Sequence, residues 1–103
     1  MDKMTRAKAL FHLLDRARSE AAIASQRYPQ PNYNVTKVAE EAGEVVKEAV
    51  HLAEDRGSAQ AVEAEIIQAM AMLIRLYVEG DEVHGVPSIA DALYGEAARG
   101  VTT

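Results

Sequence analysis

Cysteine and tryptophan are both absent from this chain of 103 residues, and aromatic residues make up 5% of it. Without cysteine, the chain has no disulfide scaffold, no thiolate metal site and no cysteine nucleophile. Five aromatic residues per hundred are too few for a platform on which nucleic-acid bases would stack. The net charge is −5, so the basic stripe of a nucleic-acid-binding surface is also missing. We therefore expect a small acidic protein that does not bind nucleic acid.

Long hydrophobic runs are lacking as well. The longest covers residues 69–74, far short of the roughly 20 residues that a membrane span needs. Residues 1–6 lack the apolar core of a signal peptide. We therefore expect a cytoplasmic protein without a membrane partner. The hydrophobic fraction of 49% is enough for a core, and the length fits a single domain over residues 1–103.

The pattern of apolar residues predicts an all-α fold, because alanine is abundant and no stretch alternates apolar and polar side chains for long. Prolines in the segment 28–34 should end the first helix. The predicted helices cover about residues 2–26, 35–56, 58–79 and 88–98. Because the second and third are joined by a short turn, we expect them to form an antiparallel hairpin at the centre of a four-helix bundle.

Local signals mark the ends of these helices. Asn34 is the predicted N-cap of the second helix, and Gly57 should supply the left-handed position that ends it. Ser58 should cap the third helix, and Gly80 should end it. Ser88, with an aspartate three residues later, resembles a capping box that opens the last helix.

The second helix divides into an apolar and an acidic face when its residues are placed 100° apart. The predicted apolar face comprises Val38, Ala42, Val45, Val46, Ala49, Val50 and Leu52. Glu41, Glu44 and Glu48 form an acidic stripe at three- and four-residue spacing. Like charges at these spacings destabilise a helix by about 0.2–0.5 kcal/mol per pair. A solvated acidic face is one interpretation, and a stripe that holds cations is the other.

The third helix is apolar around its whole circumference over residues 66–74, except at Gln68. Such a helix is buried on several sides, which in so short a chain predicts burial against a second subunit. Glu65 and Gln68 share one face and stand level with Glu44 and Glu48 across the hairpin. Gln68 could instead make a hydrogen bond in the core, and Glu65 could simply favour the helix N-terminus. Oxygen ligands without His or Cys suit Mg²⁺ or Mn²⁺.

These residues resemble a known family. The stretch 37–45, KVAEEAGEV, followed some twenty residues later by Glu65-Ile66-Ile67-Gln68, is similar to the MazG-like nucleotide pyrophosphohydrolases. Members of that family carry an E-E-x-x-E motif on one helix and an E-x-x-D motif on the next. The resemblance spans residues 34–79. It implies an all-α fold that assembles as a homodimer or a dimer of dimers. It also implies Mg²⁺-dependent hydrolysis of nucleoside triphosphates between the α and β phosphates, giving the monophosphate and pyrophosphate.

The resemblance assigns roles to individual residues. Glu41 and Glu44 match the metal-ligating pair of the first motif, Glu40 matches its leading glutamate, and Glu65 matches the first acid of the second motif. One carboxylate, of Glu41 or Glu44, would accept the proton of the attacking water. The departure is Gln68, which stands in place of the aspartate and offers a carbonyl oxygen without charge. Glu48 is added as a further metal ligand because of its level in the hairpin.

Substrate contacts are expected beside the acidic stripe. Lys37, one turn before Glu41, is placed to contact a phosphate, or to act as an exposed partner of Glu41. Asn32 and Tyr33, in the irregular segment before the second helix, offer an amide and a stacking surface for base selection. The alternative is that the prolines of this segment merely shape a turn. Two functions thus remain open: the enzyme, or a non-catalytic helical dimer that binds metal or nucleotide without turnover.

Overall fold

A computed structural model describes residues 1–95 of the chain. Over these residues the fold is helical, which confirms the predicted all-α class. The long helices are α1 (Lys3–Arg27), α2 (Asn34–Ala53) and α3 (Ala59–Glu79), followed by a short π-helix, Asp91–Gly95. No β-strand occurs between residues 1 and 95, where a single antiparallel bridge closes the turn after α3. A fourth long helix is not found in this range, and residues 96–98 of the predicted one lie outside the described residues.

Three helix boundaries are formed by capping residues that are close to them in the sequence. The Asp2 carboxylate accepts a hydrogen bond from the Thr5 N–H (2.8 Å) at the start of α1. The Ser58 hydroxyl accepts one from the Ala61 N–H (3.1 Å) at the start of α3, as predicted. Gly80 ends α3 with a φ of 74°, where a side chain would also collide with the Val86 carbonyl. These boundaries are set by residues within a few positions of each helix end.

The start of α2 is different, and the prediction that Asn34 is its N-cap is wrong. Asn34 is the first residue of the helix, is fully buried, and donates its side-chain amide to the Gly80 carbonyl (2.9 Å). The Val35 N–H instead donates to the carboxylate of Asp81 (2.8 Å), 46 residues further along the chain. The cap of α2 therefore comes from the turn that follows α3.

The turn between α2 and α3 also departs from expectation. α2 ends at Ala53 rather than at residue 56, and the left-handed residue is Asp55, with a φ of 58°, not Gly57. An aspartate tolerates this conformation better than most residues. At Gly57 the space is tight instead, because a Cβ there would lie 3.1 Å from the Cβ of His51.

α3 is the central helix and packs against both α1 and α2, which make little contact with each other. The buried apolar side chains are few and mostly small: Ala17, Ala21, Ile67, Ala71 and Met72. The molecule is elongated, measuring 57 × 34 × 20 Å, with a radius of gyration of 16.5 Å. A compact domain of about 100 residues has a radius of gyration near 13 Å. Much apolar surface therefore stays uncovered in the single chain.

The face that α2 turns towards α3 includes only part of the predicted apolar face, of which Val38 and Val45 are half-buried. Val46 and Val50 are 62% and 47% exposed, whereas Glu41 and Glu48 are half-buried. The reason lies at the start of the helix. Burial of Asn34 fixes the rotation of α2, and positions seven and fourteen residues later lie on the same side of an α-helix. The acidic stripe is thus partly turned inward, and two of the valines are left outward.

Within the described range, none of the helices combines the length and the apolar character required to cross a lipid bilayer.

Candidate functional site

A pocket of about 340 Å³ lies between α1 and α2 and has α3 as its floor. Because α1 and α2 diverge, both helices and the segment that joins them contribute walls. The lining residues are Glu20, Ile23, Ala24 and Arg27 of α1, Tyr28 and Asn32 of the segment, Lys37 and Glu41 of α2, and Gln68, Met72 and Arg75 of α3. Four of the eight predicted site residues are among them: Asn32, Lys37, Glu41 and Gln68. Residues from four separate stretches of the chain therefore meet at one cavity.

Lys37 is held between two aromatic rings at the edge of this pocket. Its ammonium nitrogen lies 5.9 Å from the centre of the Tyr28 ring and 5.5 Å from that of Tyr33. A cation within about 6 Å of an aromatic face is attracted by the ring's electrons, by roughly 0.5–1 kcal/mol at exposed sites. Tyr33 does not line the pocket itself, but its ring contacts Lys37, which does. The ammonium is kept beside the acidic stripe.

Glu41 is the carboxylate of the stripe that faces the pocket, and its pKa is raised. Partial burial is the main cause, followed by the negative charge of Glu65. Lys37 opposes the change, while Glu44 and Glu40 add to it. The negative charge around Glu41 is therefore incompletely compensated by protein cations. A bound cation would relieve it.

The remaining predicted ligands are not gathered around Glu41. Glu44 is exposed one turn along α2, and Glu65 is half-buried on α3 without lining the pocket. The Glu48 carboxylate lies 3.9 Å from the His51 ring, outside the cavity. Over residues 1–95, no three acidic or histidine side chains form a group that could hold a metal ion. A complete protein cage for a metal is thus not assembled in this part of the chain.

The carboxylate and amide oxygens of the pocket are nevertheless ligand types that suit Mg²⁺. Mg²⁺ in nucleotide sites is usually held by one or two carboxylates together with substrate phosphates and waters, rather than by a dedicated protein cage. Glu41 supplies a carboxylate whose pKa is raised by burial and, second, by the negative charge of Glu65. Gln68 adds a neutral amide to the same pocket. These residues suit a metal ion that is also bound by the phosphates of a substrate.

A buried ion pair that the sequence reasoning missed lies behind the pocket. Arg75 is 2% exposed, and its Nε and Nη2 atoms donate to the two Glu79 oxygens (3.1 and 2.9 Å). Its Nη2 atom also donates to the Tyr28 carbonyl (2.6 Å). One available signal was the four-residue spacing of opposite charges in an otherwise apolar helix. Arg75 thus ties the floor of the pocket to its joining segment.

Glu79 gathers further hydrogen bonds from other elements. It accepts one from the Ser25 hydroxyl of α1 and one from the Gln30 amide (3.1 Å). Burial alone would raise the pKa of Glu79, but hydrogen bonds from Arg75, Ser25 and Gln30 lower it from 4.5 to about 2. Its carboxylate is therefore ionised throughout the ordinary pH range.

Asp81 is the centre of a second polar cluster, at the start of α2. It is fully buried and accepts hydrogen bonds from the Val35 N–H, the His84 N–H (2.9 Å) and the His84 ring (2.9 Å). Burial acts to raise the pKa of Asp81, but these three hydrogen bonds lower it overall. His84, for which no motif predicted a role, helps to hold the cap of the helix that carries Lys37 and Glu41.

Comparison of the chain with protein-family models, with curated proteins and with solved structures gives no match. The resemblance to the MazG-like family therefore rests on the residues of this sequence.

Proposed function

We propose that this chain is a Mg²⁺-dependent nucleoside triphosphate pyrophosphohydrolase that releases pyrophosphate and the nucleoside monophosphate. The observation that carries the proposal is the pocket between α1 and α2. It gathers Glu41 and Gln68, from the two motif helices, with Lys37 and Asn32, the predicted substrate contacts. Gln68 is distant in the sequence from the other three, which lie between residues 32 and 41, yet all four line the same cavity.

The charges and surfaces of the pocket suit a nucleotide. Lys37 and Arg27 supply positive charge for a polyphosphate, whereas the charge of the buried Arg75 is balanced by Glu79. The half-exposed ring of Tyr28 and the amide of Asn32 offer a stacking surface and hydrogen bonds for a base. A cavity of about 340 Å³ is within the usual size range of small-molecule sites.

Glu41 is our choice for the residue that accepts the proton of the attacking water. Its raised pKa makes its carboxylate a stronger base than an ordinary glutamate, and it lines the pocket where Glu44 does not. With Glu41 reserved for the proton, Mg²⁺, or Mn²⁺ in its place, would be held by the substrate phosphates, by Gln68 of the pocket and, as the resemblance implies, by Glu44 and Glu65. The metal would neutralise charge on the polyphosphate and lower the pKa of the water. We leave Glu48 out of this set because it lies against His51.

We further propose that the active form is a cytoplasmic homodimer or a dimer of dimers. The buried apolar core of one chain is small, whereas large apolar side chains stay exposed on every long helix. On α2 two outward valines lie opposite the half-buried acidic residues, which leaves an apolar face for a second copy. A further apolar groove lies where α1 passes the turn between α2 and α3.

The second candidate function is a helical dimer that binds metal or nucleotide without turnover. Gln68 favours it, because an amide in place of the family's aspartate removes a charge and cannot act as a base. A panel of ribonucleoside and deoxyribonucleoside triphosphates, assayed for pyrophosphate with Mg²⁺ or Mn²⁺ and again with EDTA, separates the two. The enzyme predicts metal-dependent pyrophosphate release from at least one of them. Tight nucleotide binding with no product from any would favour the second function.

The variant Gln68→Asp gives a second test of the enzyme against the non-catalytic dimer. If the glutamine limits metal binding, restoring the acid should raise the rate at low Mg²⁺. An unchanged or lower rate would mean that the pocket is adapted to glutamine.

A further inference from the structure

The buried pair of Arg75 and Glu79 is part of a network that reaches the wall of the pocket. The Tyr28 carbonyl accepts hydrogen bonds from Arg75 and from the Asn32 side-chain amide (2.6 and 3.0 Å). Gln30 donates to Glu79 and, through its own oxygen, accepts from the backbone N–H groups of Asn32 and Glu82 (3.0 and 3.1 Å). The network thus connects the end of α3 to the segment before α2 and to the turn after α3.

We propose that Gln30, Arg75 and Glu79 are positioning residues that hold the segment 28–32 in the geometry needed to receive a nucleotide base. Tyr28 and Asn32, the members of this segment that line the pocket, are the two to which the network is bonded. The inference rests on the proposed function for the identity of the ligand. It goes further in assigning the control of the segment's geometry to the network.

Stability alone is a poor explanation for this network. A buried ion pair generally contributes little net stability compared with apolar side chains of similar volume. Small exposed loops usually keep their backbone groups solvated. Here the bonds from the buried pair and from Gln30 end on backbone atoms of the joining segment, at the residues that face the pocket. These hydrogen bonds fix the backbone conformation of the segment 28–32.

Gln30→Ala is the cleanest test, because it removes the bonds of Gln30 to Glu79, Asn32 and Glu82. The bonds from Arg75 to Glu79 and to the Tyr28 carbonyl stay in place. Gln60→Ala, an exposed glutamine at the far end of α3, is the matched control. The first measurement is hydrogen exchange of the Asn32 and Glu82 amides by NMR. The second is calorimetric affinity for the Mg²⁺ complexes of the eight common ribo- and deoxyribonucleoside triphosphates, and for inorganic tripolyphosphate, which has no base.

We expect Gln30→Ala to speed exchange at both amides and to weaken the best-bound nucleotide by about tenfold, the scale of one lost base-stacking contact. Affinity for tripolyphosphate should stay within about twofold, and Gln60→Ala should change nothing. Unchanged exchange would overturn the inference, as would faster exchange with unchanged nucleotide affinity. Equal weakening of tripolyphosphate would also overturn it, since base recognition would then not be involved. If the unaltered protein bound none of the nucleotides, the proposed function would fail first, and the inference with it.

Discussion

The two ends of the molecule are held together in different ways. At the loop end, where α1 and α3 finish and α2 begins, buried polar side chains join all three helices through hydrogen bonds. At the opposite end, α1 passes the turn between α2 and α3, and the contact there is an apolar groove open to solvent. That groove is lined mainly by Ala9, Leu10, Leu13, Leu52, Ala59, Val62 and Ile66.

The difference indicates which part of the site one chain can build alone. The loop end pairs most of its buried polar groups internally, although within residues 1–95 the buried side-chain oxygen of Asn34 accepts no hydrogen bond. These bonds let it hold the pocket segment without a second chain. The opposite end leaves Leu10 and Phe11 of α1 exposed, together with Leu52 of α2. Apolar surface that is exposed on several adjoining elements is typical of an interaction site. We expect the loop end to determine the chemistry and the opposite end to require a second copy.

The largest effect should follow from breaking the buried pair at the loop end. Glu79→Ala would leave Arg75 buried without its counter-charge, a change that costs about 3 kcal/mol or more. Urea unfolding measures this loss. The double variant Arg75→Met with Glu79→Met should recover much of it, because no buried charge then remains unpaired. If Glu79→Ala were as stable as the original protein, the buried pair would not stabilise the loop end.

A comparably clear effect is expected at the opposite end, on assembly rather than on folding. Leu10→Lys places a charge in the apolar groove and should shift the oligomer towards monomer in light scattering after size exclusion. Val83→Lys at the loop end is the control, since the two side chains are similarly exposed (51% and 53%). A monomeric original protein, or equal behaviour of both variants, would refute this assignment of the interface.

Acid should weaken the loop end in a definite pH window. The pKa of Glu79 is lowered from 4.5 to about 2, so the stability it contributes is fully present above pH 4.5. That stability is lost as the pH falls from about 4.5 towards 2, where the folded protein takes up the proton. Urea midpoints measured across this range should fall. The Arg75→Met, Glu79→Met double variant should depend less on pH, and an identical dependence would exclude Glu79 as the cause.

The smallest effect compares two aspartate caps. Asp81→Ala removes a buried cap of α2 and should cost about 1–2 kcal/mol, the upper part of the range for N-caps. Asp2→Ala removes an exposed cap of α1, where water can replace the carboxylate, and should cost about 0.5 kcal/mol. Thermal unfolding of both variants tests the order. Equal costs would mean that burial of the Asp81 cluster adds nothing.

Features that depend on neighbours in the sequence were predicted well. The helical class, the cap at Ser58 and the end of α3 at Gly80 were all confirmed. The N-cap of α2 was not, because the group that satisfies the Val35 N–H lies 46 residues away. No local pattern around Asn34 could indicate this.

The inward face of α2 was predicted in part. Val38 and Val45 are half-buried, but Val46 and Val50, which were expected to widen the apolar face, are exposed. Glu41 and Glu48 are half-buried on the same side of the helix as the buried Asn34. The apolar pattern of α2 agrees with the structure if a second copy of the chain covers the outward valines.

The candidate site could be predicted in part. Glu41, Gln68, Lys37 and Asn32 line one pocket, whereas Arg75 was overlooked because charged residues are seldom fully buried. Glu20, which also lines the pocket, was overlooked because a single acid on α1 carries no motif.

The most direct test of the central claim is the rate of pyrophosphate release by Glu41→Gln, compared with Glu54→Gln at the exposed end of α2. The account predicts at least a hundredfold lower rate for Glu41→Gln, the scale of a lost general base. Glu54→Gln should match the original protein, and both variants should unfold near the same temperature. Equal rates for the two variants would contradict the claim that the pocket beside Glu41 is the active site.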